Sequence, residues 1–273
     1  MSGALKRVLT IAGSDSGGGA GIQADLKTCT ALGCYGMSVI TAVTAQNTVE
    51  VRSIHELPAE EVEHQLVAVL DDIGVDAVKT GMLANAEIIE RVASLLKRFE
   101  TPNIVVDPVM VSKSGAHLLR DDAVEALKRH LAPLATMITP NVPEASVLTG
   151  IALEGYTAVR NVLESLHALG SQHVLLKGGH FESLEAADYL FDGSVQSTCT
   201  AQRIDTKNTH GTGCTYSAAI ACFLAQGCTP ADAVRRAKEY LTGAIHGSAL
   251  LQIGHGAGPL HHGWNLDIIC KTQ

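Results

Sequence analysis

Short β-branched segments alternate with longer amphipathic segments along most of the chain, and this alternation constrains the fold more than any other feature. The short segments resemble buried strands, and the longer ones repeat apolar residues at helical spacing. The predicted strands of this alternation are 8–11, 37–45, 77–79, 104–107, 136–139 and 173–177. Such alternation predicts a mostly parallel sheet covered by helices on both faces, with ligands bound beyond the carboxyl ends of the strands.

The remaining segments complete this picture without a second domain. The predicted helices are 22–32, 58–72, 86–99, 121–131, 142–148, 156–169, 215–226 and 230–250. The turn at Asp192-Gly193 lies between two β-rich segments and predicts a hairpin, which would add antiparallel strands to the sheet. No Pro-, Gly- or Ser-rich linker and no repeat interrupts the pattern, so residues 1–273 are expected to form a single domain.

Charge and hydropathy argue against several classes of protein. The chain has a formal net charge of −8, which is opposite to the basic footprint of a nucleic-acid-binding protein. No segment approaches the roughly 20 apolar residues of a membrane span. The seven cysteines include no Cys-x-x-Cys pair and are expected to be reduced thiols. We therefore expect a cytoplasmic protein that acts without nucleic acid or membrane.

A glycine-rich loop, Gly13 to Gly21, follows the first predicted strand and leads into a helix. Glycines let the backbone approach a ligand closely, and a helix start attracts anions. A tight strand-to-helix turn explains the same glycines without a ligand. Asp25, one turn into the helix, either interacts favourably with the helix dipole or hydrogen-bonds a ligand in the cleft.

Gln46 and Met82 follow the next two strands. Gln46 and its neighbour Asn47 carry amides that can read the donor and acceptor edge of a heterocycle, although the pair is also a turn signal. Met82 can pack flat against a ring, although a methionine in the core is the commoner explanation.

Polar side chains also end the next three strands. Asp107 is placed to hold Mg²⁺ through water. Asn141 and Glu144 follow the next strand, at a spacing that is also that of a helix capping box. Lys177 ends the sixth strand beside two glycines, where a lysine is a natural phosphate contact.

The strongest motif is Asn208-Thr209-His210-Gly211-Thr212-Gly213-Cys214-Thr215, which opens a helix of small apolar residues. Successive backbone N–H groups at a helix start form an anion hole. Such a hole would stabilise the charge that develops on a transferred phosphoryl group. A thiolate at Cys214 would be favoured by the helix dipole and by nearby Lys or His. A glycine turn before a core helix with a buried cysteine is the alternative.

Taken together, these motifs resemble those of the hydroxymethylpyrimidine/phosphomethylpyrimidine kinases of thiamine biosynthesis, in the ribokinase-like superfamily. The resemblance rests on segments 13–21, 45–48, 79–82, 139–144, 177–180 and 208–215, which occur in this order and span nearly the whole chain. It implies a three-layer α/β/α fold, ATP with Mg²⁺, and a homodimer. It also implies two successive phosphorylations, of 4-amino-5-hydroxymethyl-2-methylpyrimidine and then of its monophosphate.

The resemblance further implies a role for each site residue. At the substrate end, Gly13 belongs to the substrate loop, Asp25 and Gln46 would hydrogen-bond the amino group and ring nitrogen of the pyrimidine, and Met82 would lie against its ring. Mg²⁺ and the phosphates would be surrounded by Asp107, Asn141 and Glu144. ATP would be contacted by Lys177, Thr209 and the anion hole of Gly211, Thr212 and Gly213.

Cys214 departs from the wider superfamily, whose members usually carry Gly-Ala-Gly-Asp where this chain has Gly-Thr-Gly-Cys. The aspartate of that motif is the base that takes the hydroxyl proton. A thiolate can accept a proton, so Cys214 is predicted to be the base. Alternatively it only shapes the pocket.

Two other functions compete with the pyrimidine kinase. A pyridoxal kinase is the nearer one, because branches of the same superfamily phosphorylate pyridoxal-type rings. A dinucleotide-binding oxidoreductase would use the first glycine loop, but it predicts an acidic residue about 20 residues beyond that loop. The chain has Gln46-Asn47 in that region.

Two further segments carry predictions. Residues 112–117 are polar, contain glycine and follow Asp107, and we expect a flap that keeps water from the transferred phosphate. The tail at 254–262 contains three histidines, for which a loop is a simpler explanation than a metal site.

Overall fold

The computed structural model describes residues 4–110, 120–153, 158–179 and 185–266. Its strands, in chain order, are β1 Arg7–Ala12, β2 Tyr35–Ile40, β3 Ala42–Gln46, β4 Val51–Glu56, β5 Ala77–Thr80, β6 Ile104–Val106, β7 Met137–Ile138, β8 His173–Leu176, β9 Glu185–Phe191 and β10 Gln196–Gln202. Eight of them form one sheet in the order β10-β9-β8-β7-β6-β5-β1-β2. Strands β3 and β4 pair with each other in a separate antiparallel ribbon.

The large sheet is parallel from β2 to β8, and the two strands after β8 are antiparallel. The predicted hairpin therefore forms, and Gly193 has the positive φ of +95° that its turn requires. The Asp192 carboxylate accepts hydrogen bonds from the backbone N–H groups of Ser194 and Val195, which closes the turn.

Helices cover both faces of the sheet. They are α1 Gly21–Ala31, α2 Ala59–Asp72, α3 Ala86–Arg98, α4 Asp121–Ala126, α5 Val142–Thr149, α6 Val159–His167, α7 Thr212–Ala225 and α8 Pro230–Ser248. A π-helical turn, Leu127–Leu131, and a 3₁₀ turn, Ala132–Leu134, continue α4. Successive strand residues face opposite layers: Val105 packs with α1, α7 and α8, whereas Val106 packs with the helices of the other face. The predicted three-layer α/β/α fold is confirmed.

The predicted strand 37–45 is in fact two strands that separate at Thr41. The Thr41 N–H donates to Ala12 O and its hydroxyl donates to Met82 O, so the chain turns out of the sheet beside β1 and β5. The segment that follows pairs with β4. The sequence of β4, Val-Arg-Ser-Ile-His-Glu, has no apolar alternation, so a strand is not predicted there. As a result, Gln46 lies on the ribbon and not at an end of the large sheet.

Within the described residues, no helix is long and apolar enough to cross a membrane. Each cysteine that the structure describes is a free thiol, as expected. The predicted flap at 112–117 lies outside the described residues.

Candidate active site

Charged side chains of alternating sign form a row at the carboxyl edge of the sheet. Lys79 Nζ lies 2.8 Å from Asp25 Oδ2, and Lys177 Nζ lies 2.7 Å from Asp107 Oδ1. Lys177 Nζ is also 3.9 Å from Glu144 Oε2. Helix α1 supplies Asp25, strand β5 supplies Lys79 and helix α5 supplies Glu144, whereas Asp107 and Lys177 directly follow strands β6 and β8. The row brings together Asp107, Glu144 and Lys177, as the sequence predicts.

Opposite charges keep Asp107 and Lys177 ionised where burial alone would not, whereas burial raises the pKa of Asp25 in spite of Lys79. Burial would raise the pKa of Asp107, but Lys177 and Lys79 outweigh it and hold that pKa below its ordinary value. The Lys177 pKa is raised, because Asp107 and Glu144 together outweigh the effect of burial. At the end of the row, burial raises the pKa of Glu144 to about 7, against the influence of Lys177.

Glu144 and Asn141 also form the helix cap that their spacing predicts. Asn141 Oδ1 accepts from the Glu144 N–H, and Glu144 Oε2 accepts from the Asn141 N–H, both at 2.8 Å. The capping box and the contact with Lys177 therefore use the same carboxylate. Helix α5 thus holds Glu144 in a defined position at the end of the row.

The anion-hole motif is the start of α7, which begins at Thr212, three residues before the predicted start. Gly211 has a φ of +83°, and a Cβ atom there would overlap Gly19 O. A Cβ built on Gly213 would lie 3.4 Å from Lys177 Nζ and 3.8 Å from Asp107 Oδ2. The backbone of the first turn of α7 therefore lies directly against the charged row, so an anion held there would also meet Lys177.

Cys214 lies in that first turn. Its thiolate is disfavoured, and the prediction that the helix start and nearby cations would favour it is wrong. Burial raises the pKa of the thiol to about 11, and Asp25 and Asp107 act in the same direction against Lys79. Lys79 lowers this pKa in the predicted direction, but burial and the two carboxylates outweigh it. At neutral pH the thiol is protonated.

The first glycine loop contacts the residues that follow β5. The Gly13 N–H donates to Met82 O at 3.2 Å, and a side chain at position 13 would overlap the end of the Met82 side chain. Gln46 is half-buried, and its Nε2 lies 3.3 Å from Nε2 of His210. These residues form a second, less charged end of the site.

Asp25 is fully buried and does not line an open substrate surface. Its carboxylate is 0% exposed, and Oδ2 accepts from Thr10 Oγ1 at 2.6 Å as well as from Lys79. Oδ1 has no hydrogen-bond partner among the residues that the structure describes. A substrate amino group can reach Asp25 only through Oδ1, and only where the neighbouring side chains move apart.

Four residues of the site were not singled out by the sequence analysis. Lys79 completes the charged row, and Ser217 Oγ donates to Asp107 Oδ2 at 3.1 Å. Asp15 and His210 form a buried pair between the two glycine loops, with His210 Nε2 at 2.9 Å from Asp15 Oδ2. Lys79 could have been identified from the sequence, because a lysine inside a buried strand indicates a buried partner. His210 could have been identified as well, because it lies inside the strongest motif.

The histidine tail is a docked loop, as expected. Thr215 Oγ1 lies 3.0 Å from His262 Nε2, and burial lowers the pKa of His262 to about 4. The His210 N–H donates to Gly258 O, so the tail also braces the start of the anion-hole motif. The described residues contain no group of three or more His, Cys, Asp or Glu side chains placed to hold a metal ion.

The donor set beside Lys177 fits Mg²⁺ as a partial site. One carboxylate oxygen of Asp107 accepts from Lys177 Nζ and the other accepts from Ser217 Oγ, and Glu144 Oε2 accepts from the Asn141 N–H. Mg²⁺ usually takes one or two protein carboxylates and fills its octahedron with water and phosphate oxygens. Two carboxylates next to an anion hole are consistent with that arrangement.

A mostly parallel sheet between two helical layers, with the start of α7 and a charged row at its carboxyl edge, defines the chain as a ribokinase-like α/β protein. The chain belongs to the phosphomethylpyrimidine kinase family, whose model matches residues 15–261. It is 53% identical over 259 residues to the hydroxymethylpyrimidine/phosphomethylpyrimidine kinase of Streptomyces coelicolor, an alignment that covers 95% of each chain.

Two solved structures are similar to this one over most of their length. The ADP complex of Bacillus subtilis pyridoxal kinase superimposes with a TM-score of 0.89 at 40% identity, covering 96% of this chain and 99% of that one. The phosphomethylpyrimidine kinase of Clostridium difficile superimposes with a TM-score of 0.79 at 46% identity, covering 88% and 99%. Family membership removes the dinucleotide-binding oxidoreductase from consideration.

Proposed function

We propose that this chain transfers the γ-phosphoryl group of ATP to the hydroxymethyl group of 4-amino-5-hydroxymethyl-2-methylpyrimidine, and then phosphorylates the monophosphate to the pyrophosphate. These reactions belong to thiamine diphosphate biosynthesis. Family membership supports the proposal. The observation that carries it is the contact between the first turn of α7 and the Lys177–Asp107 pair, which joins an anion hole to a fixed cation.

Phosphoryl transfer depends mainly on positioning and on stabilising charge. Lys177 neutralises charge on the phosphates, and the N–H groups of the anion hole bind the oxygens of the transferred group. Asp107 and Glu144 would hold Mg²⁺, which would supply further positive charge to the phosphates. The ATP-binding residues of this proposal are Asn141, Lys177, Thr209, Gly211 and Thr212.

The hydroxyl proton goes to Cys214 in this proposal, with Gly211, Gly213 and Lys177 completing the catalytic group. Because the pKa of the thiol is raised to about 11, only a small fraction of the enzyme carries the thiolate at neutral pH. The alternative is that Cys214 only shapes the pocket and the proton leaves to solvent or phosphate. The two roles differ in their pH dependence.

The pyrimidine lies between Gly13, Met82 and Gln46, with its amino group directed at Asp25 Oδ1. That oxygen is a buried acceptor with no partner, which a donor from the substrate would satisfy. Gln46 faces the ring nitrogen, and Met82 lies against the ring.

A pyridoxal-type ring is the second candidate, since pyridoxal kinases share the fold with a TM-score of 0.89. The TM-score depends on how much of the backbone is superimposed. The Clostridium difficile structure has the lower TM-score, and it covers only 88% of this chain, against 96% for the pyridoxal kinase. Sequence identity counts side chains along the whole alignment, and it is higher to the pyrimidine kinases, at 53% and 46%, than to this pyridoxal kinase at 40%. We therefore place the pyrimidine first.

The test is phosphoryl transfer by the purified protein to each alcohol under the same ATP and Mg²⁺ conditions. Chromatography of the products should show the pyrimidine monophosphate first and then the pyrophosphate. Lys177→Met should lose both products, whereas Lys207→Met, at an exposed lysine just before the anion-hole motif, should keep them. Turnover of pyridoxal without turnover of the pyrimidine would replace the first candidate with the second.

The assembly and location of the protein complete the proposal. We propose a cytoplasmic homodimer that acts on small molecules, with residues 1–273 as one catalytic domain. The β3–β4 ribbon supports the dimer, because it stands apart from the large sheet and exposes Val43 and Val49, which are 49% and 59% exposed.

A further inference from the structure

Three side chains meet at one histidine nitrogen between the two glycine loops. His210 Nε2 lies 2.9 Å from Asp15 Oδ2 and 3.3 Å from Gln46 Nε2. Asp15 and His210 are 1% and 8% exposed, so solvent does not substitute for these contacts. The group includes the amide that the proposed function assigns to substrate recognition.

The proton on His210 follows from the partners of Asp15. The carboxylate accepts from the backbone N–H groups of Gly17, Gly19 and Ala20, at 2.8, 2.9 and 2.8 Å. An ionised carboxylate is only an acceptor. His210 Nε2 must therefore carry a hydrogen and donate it to Asp15 Oδ2.

That hydrogen decides which end of the Gln46 amide faces His210. If the Gln46 NH₂ group faced the protonated nitrogen, two donors would face each other. Amide oxygen and nitrogen are interchanged by a 180° turn, and the hydrogen-bond network selects between the two orientations. With Oε1 turned toward His210 Nε2–H, the NH₂ group of Gln46 is free to donate to a ligand.

The His210 ring has no freedom to move away from this position. It lies against Gly19, where a Cβ atom would overlap Cδ2 of the ring, and the backbone N–H of His210 donates to Gly258 O at 3.0 Å. The next residue, Gly211, has its Cα against Gly19 O. The two loops therefore hold the ring from both sides.

We propose that Asp15 and His210 are positioning residues that fix the Gln46 amide with its N–H donor toward the substrate ring. The site then requires an acceptor at that ring position and discriminates against a ring that lacks one. This inference rests on the proposed function, because it specifies the substrate edge that Gln46 recognises. A site built to donate a hydrogen bond rejects an analogue without the acceptor, since the buried donor is left unpaired.

The experiment compares the pyrimidine alcohol with an analogue in which the ring nitrogen beside the amino-bearing carbon is replaced by C–H. The measured quantity is the ratio of kcat/KM for the two alcohols. The concentration of active enzyme cancels in this ratio, so a partly unfolded variant still gives a valid result. His210→Phe keeps a ring of similar shape and removes the donor.

In His210→Phe the Gln46 amide is free to turn, and the ratio should fall about tenfold, a change typical of one lost hydrogen bond to a buried group. The fall should appear mainly as a higher KM for the pyrimidine. His210→Gln supplies an N–H donor and should recover most of the ratio. His64→Phe, at an exposed histidine of α2, is the matched control and should leave the ratio unchanged.

A merely structural role for His210 predicts a different result. It would lower kcat for both alcohols together and leave their ratio intact. The double variant with Gln46→Ala separates the two roles, because a histidine that acts through Gln46 has no further effect on the ratio once that amide is gone.

The inference is overturned by an unchanged ratio in His210→Phe, or by the same fall in the Gln46→Ala background. If His210→Phe has no activity at all, the ratio in His210→Gln decides. A ratio in His210→Gln that is tenfold lower than in the wild type, with kcat unchanged, would also contradict the inference. Failure of the wild-type protein to phosphorylate the pyrimidine would instead contradict the proposed function.

Discussion

The charged row from Asp25 to Glu144 is stable only as a set, because each charge is removed from water and depends on its neighbours. Lys79 is 0% exposed, yet its pKa is raised above the ordinary value, since Asp25, Cys214 and Asp107 outweigh the burial that would lower it. A buried ion pair adds little net stability over apolar residues, but removal of one partner is costly. The row therefore serves the site more than it serves folding.

Asp25→Ala tests this dependence. It leaves the Lys79 ammonium buried without its 2.8 Å partner, and should lower the free energy of unfolding by about 3–5 kcal/mol. Urea denaturation followed by circular dichroism measures the loss. Glu239→Ala breaks the exposed pair with Arg235 and should cost less than about 1 kcal/mol. Equal losses in the two variants would mean that Lys79 does not depend on Asp25.

The pH profile of kcat/KM tests the role of Cys214, because this parameter reports groups of the free enzyme. With a thiol pKa raised to about 11, the thiolate fraction rises about tenfold per pH unit between pH 7 and pH 9. If the thiolate is the base, kcat/KM should rise by that factor in the wild type. Cys214→Ala should be slower and lack this rise. A flat wild-type profile would assign the cysteine to the shape of the pocket.

Part of the site could be predicted because strand ends are recognisable in sequence. Asp107 and Lys177 follow buried strands, and parallel strands bring their carboxyl ends together at one edge. The partner of Lys79 could not be predicted, since Asp25 is 54 residues away and the contact depends on how α1 packs against β5. The same is true of Asp15 and His210, which are 195 residues apart.

At the scale of elements, the start of α7 is held by contact between the two glycine loops. Gly211 combines a φ of +83° with a position that leaves no space for a side chain beside Gly19 O. The segment before it is anchored as well, because Asn208 Nδ2 donates to Leu251 O at 3.0 Å. The geometry of the proposed anion hole is therefore imposed by the first glycine loop on one side and by the tail on the other.

Gly211→Ala should remove most of the activity, at least 100-fold in kcat, because the added methyl group pushes the hole away from Lys177. Steady-state kinetics measure this loss. Gly227→Ala is a matched control at the other end of α7, where φ is +87° but nothing lies within 4 Å of the added Cβ. It should cost only the backbone strain of about 1–2 kcal/mol in stability and keep kcat. A similar kcat in both variants would contradict the role of the loop contact.

Element boundaries were less predictable than element order. The apolar run at 37–45 has no break in composition, so the sequence predicts one strand there. The break at Thr41 arises from hydrogen bonds to Ala12 O and Met82 O, which exist only once β1 and β5 are in place. Long-range contacts of this kind override local preference.

For the whole molecule, the fold concentrates chemistry at one edge and leaves the β3–β4 ribbon beside it. A two-stranded ribbon is marginally stable by itself in water. This one is joined to the rest of the site through Ser16, whose hydroxyl donates to Gln46 O at 2.7 Å, and through Thr44, whose hydroxyl donates to Ser14 O at 2.8 Å. Its exposed valines are consistent with a partner that covers it.

The proposed homodimer predicts that a charge on this ribbon separates the subunits. Val43→Asp and Val49→Asp should each shift the protein toward a monomer, because a carboxylate would be desolvated when the partner covers it. Sedimentation velocity at micromolar concentration measures the mass. Val195→Asp is the control, since Val195 is 62% exposed at the β9–β10 turn, near the opposite edge of the sheet. A wild-type monomer, or dimers that persist in both ribbon variants, would show that this surface is not the interface.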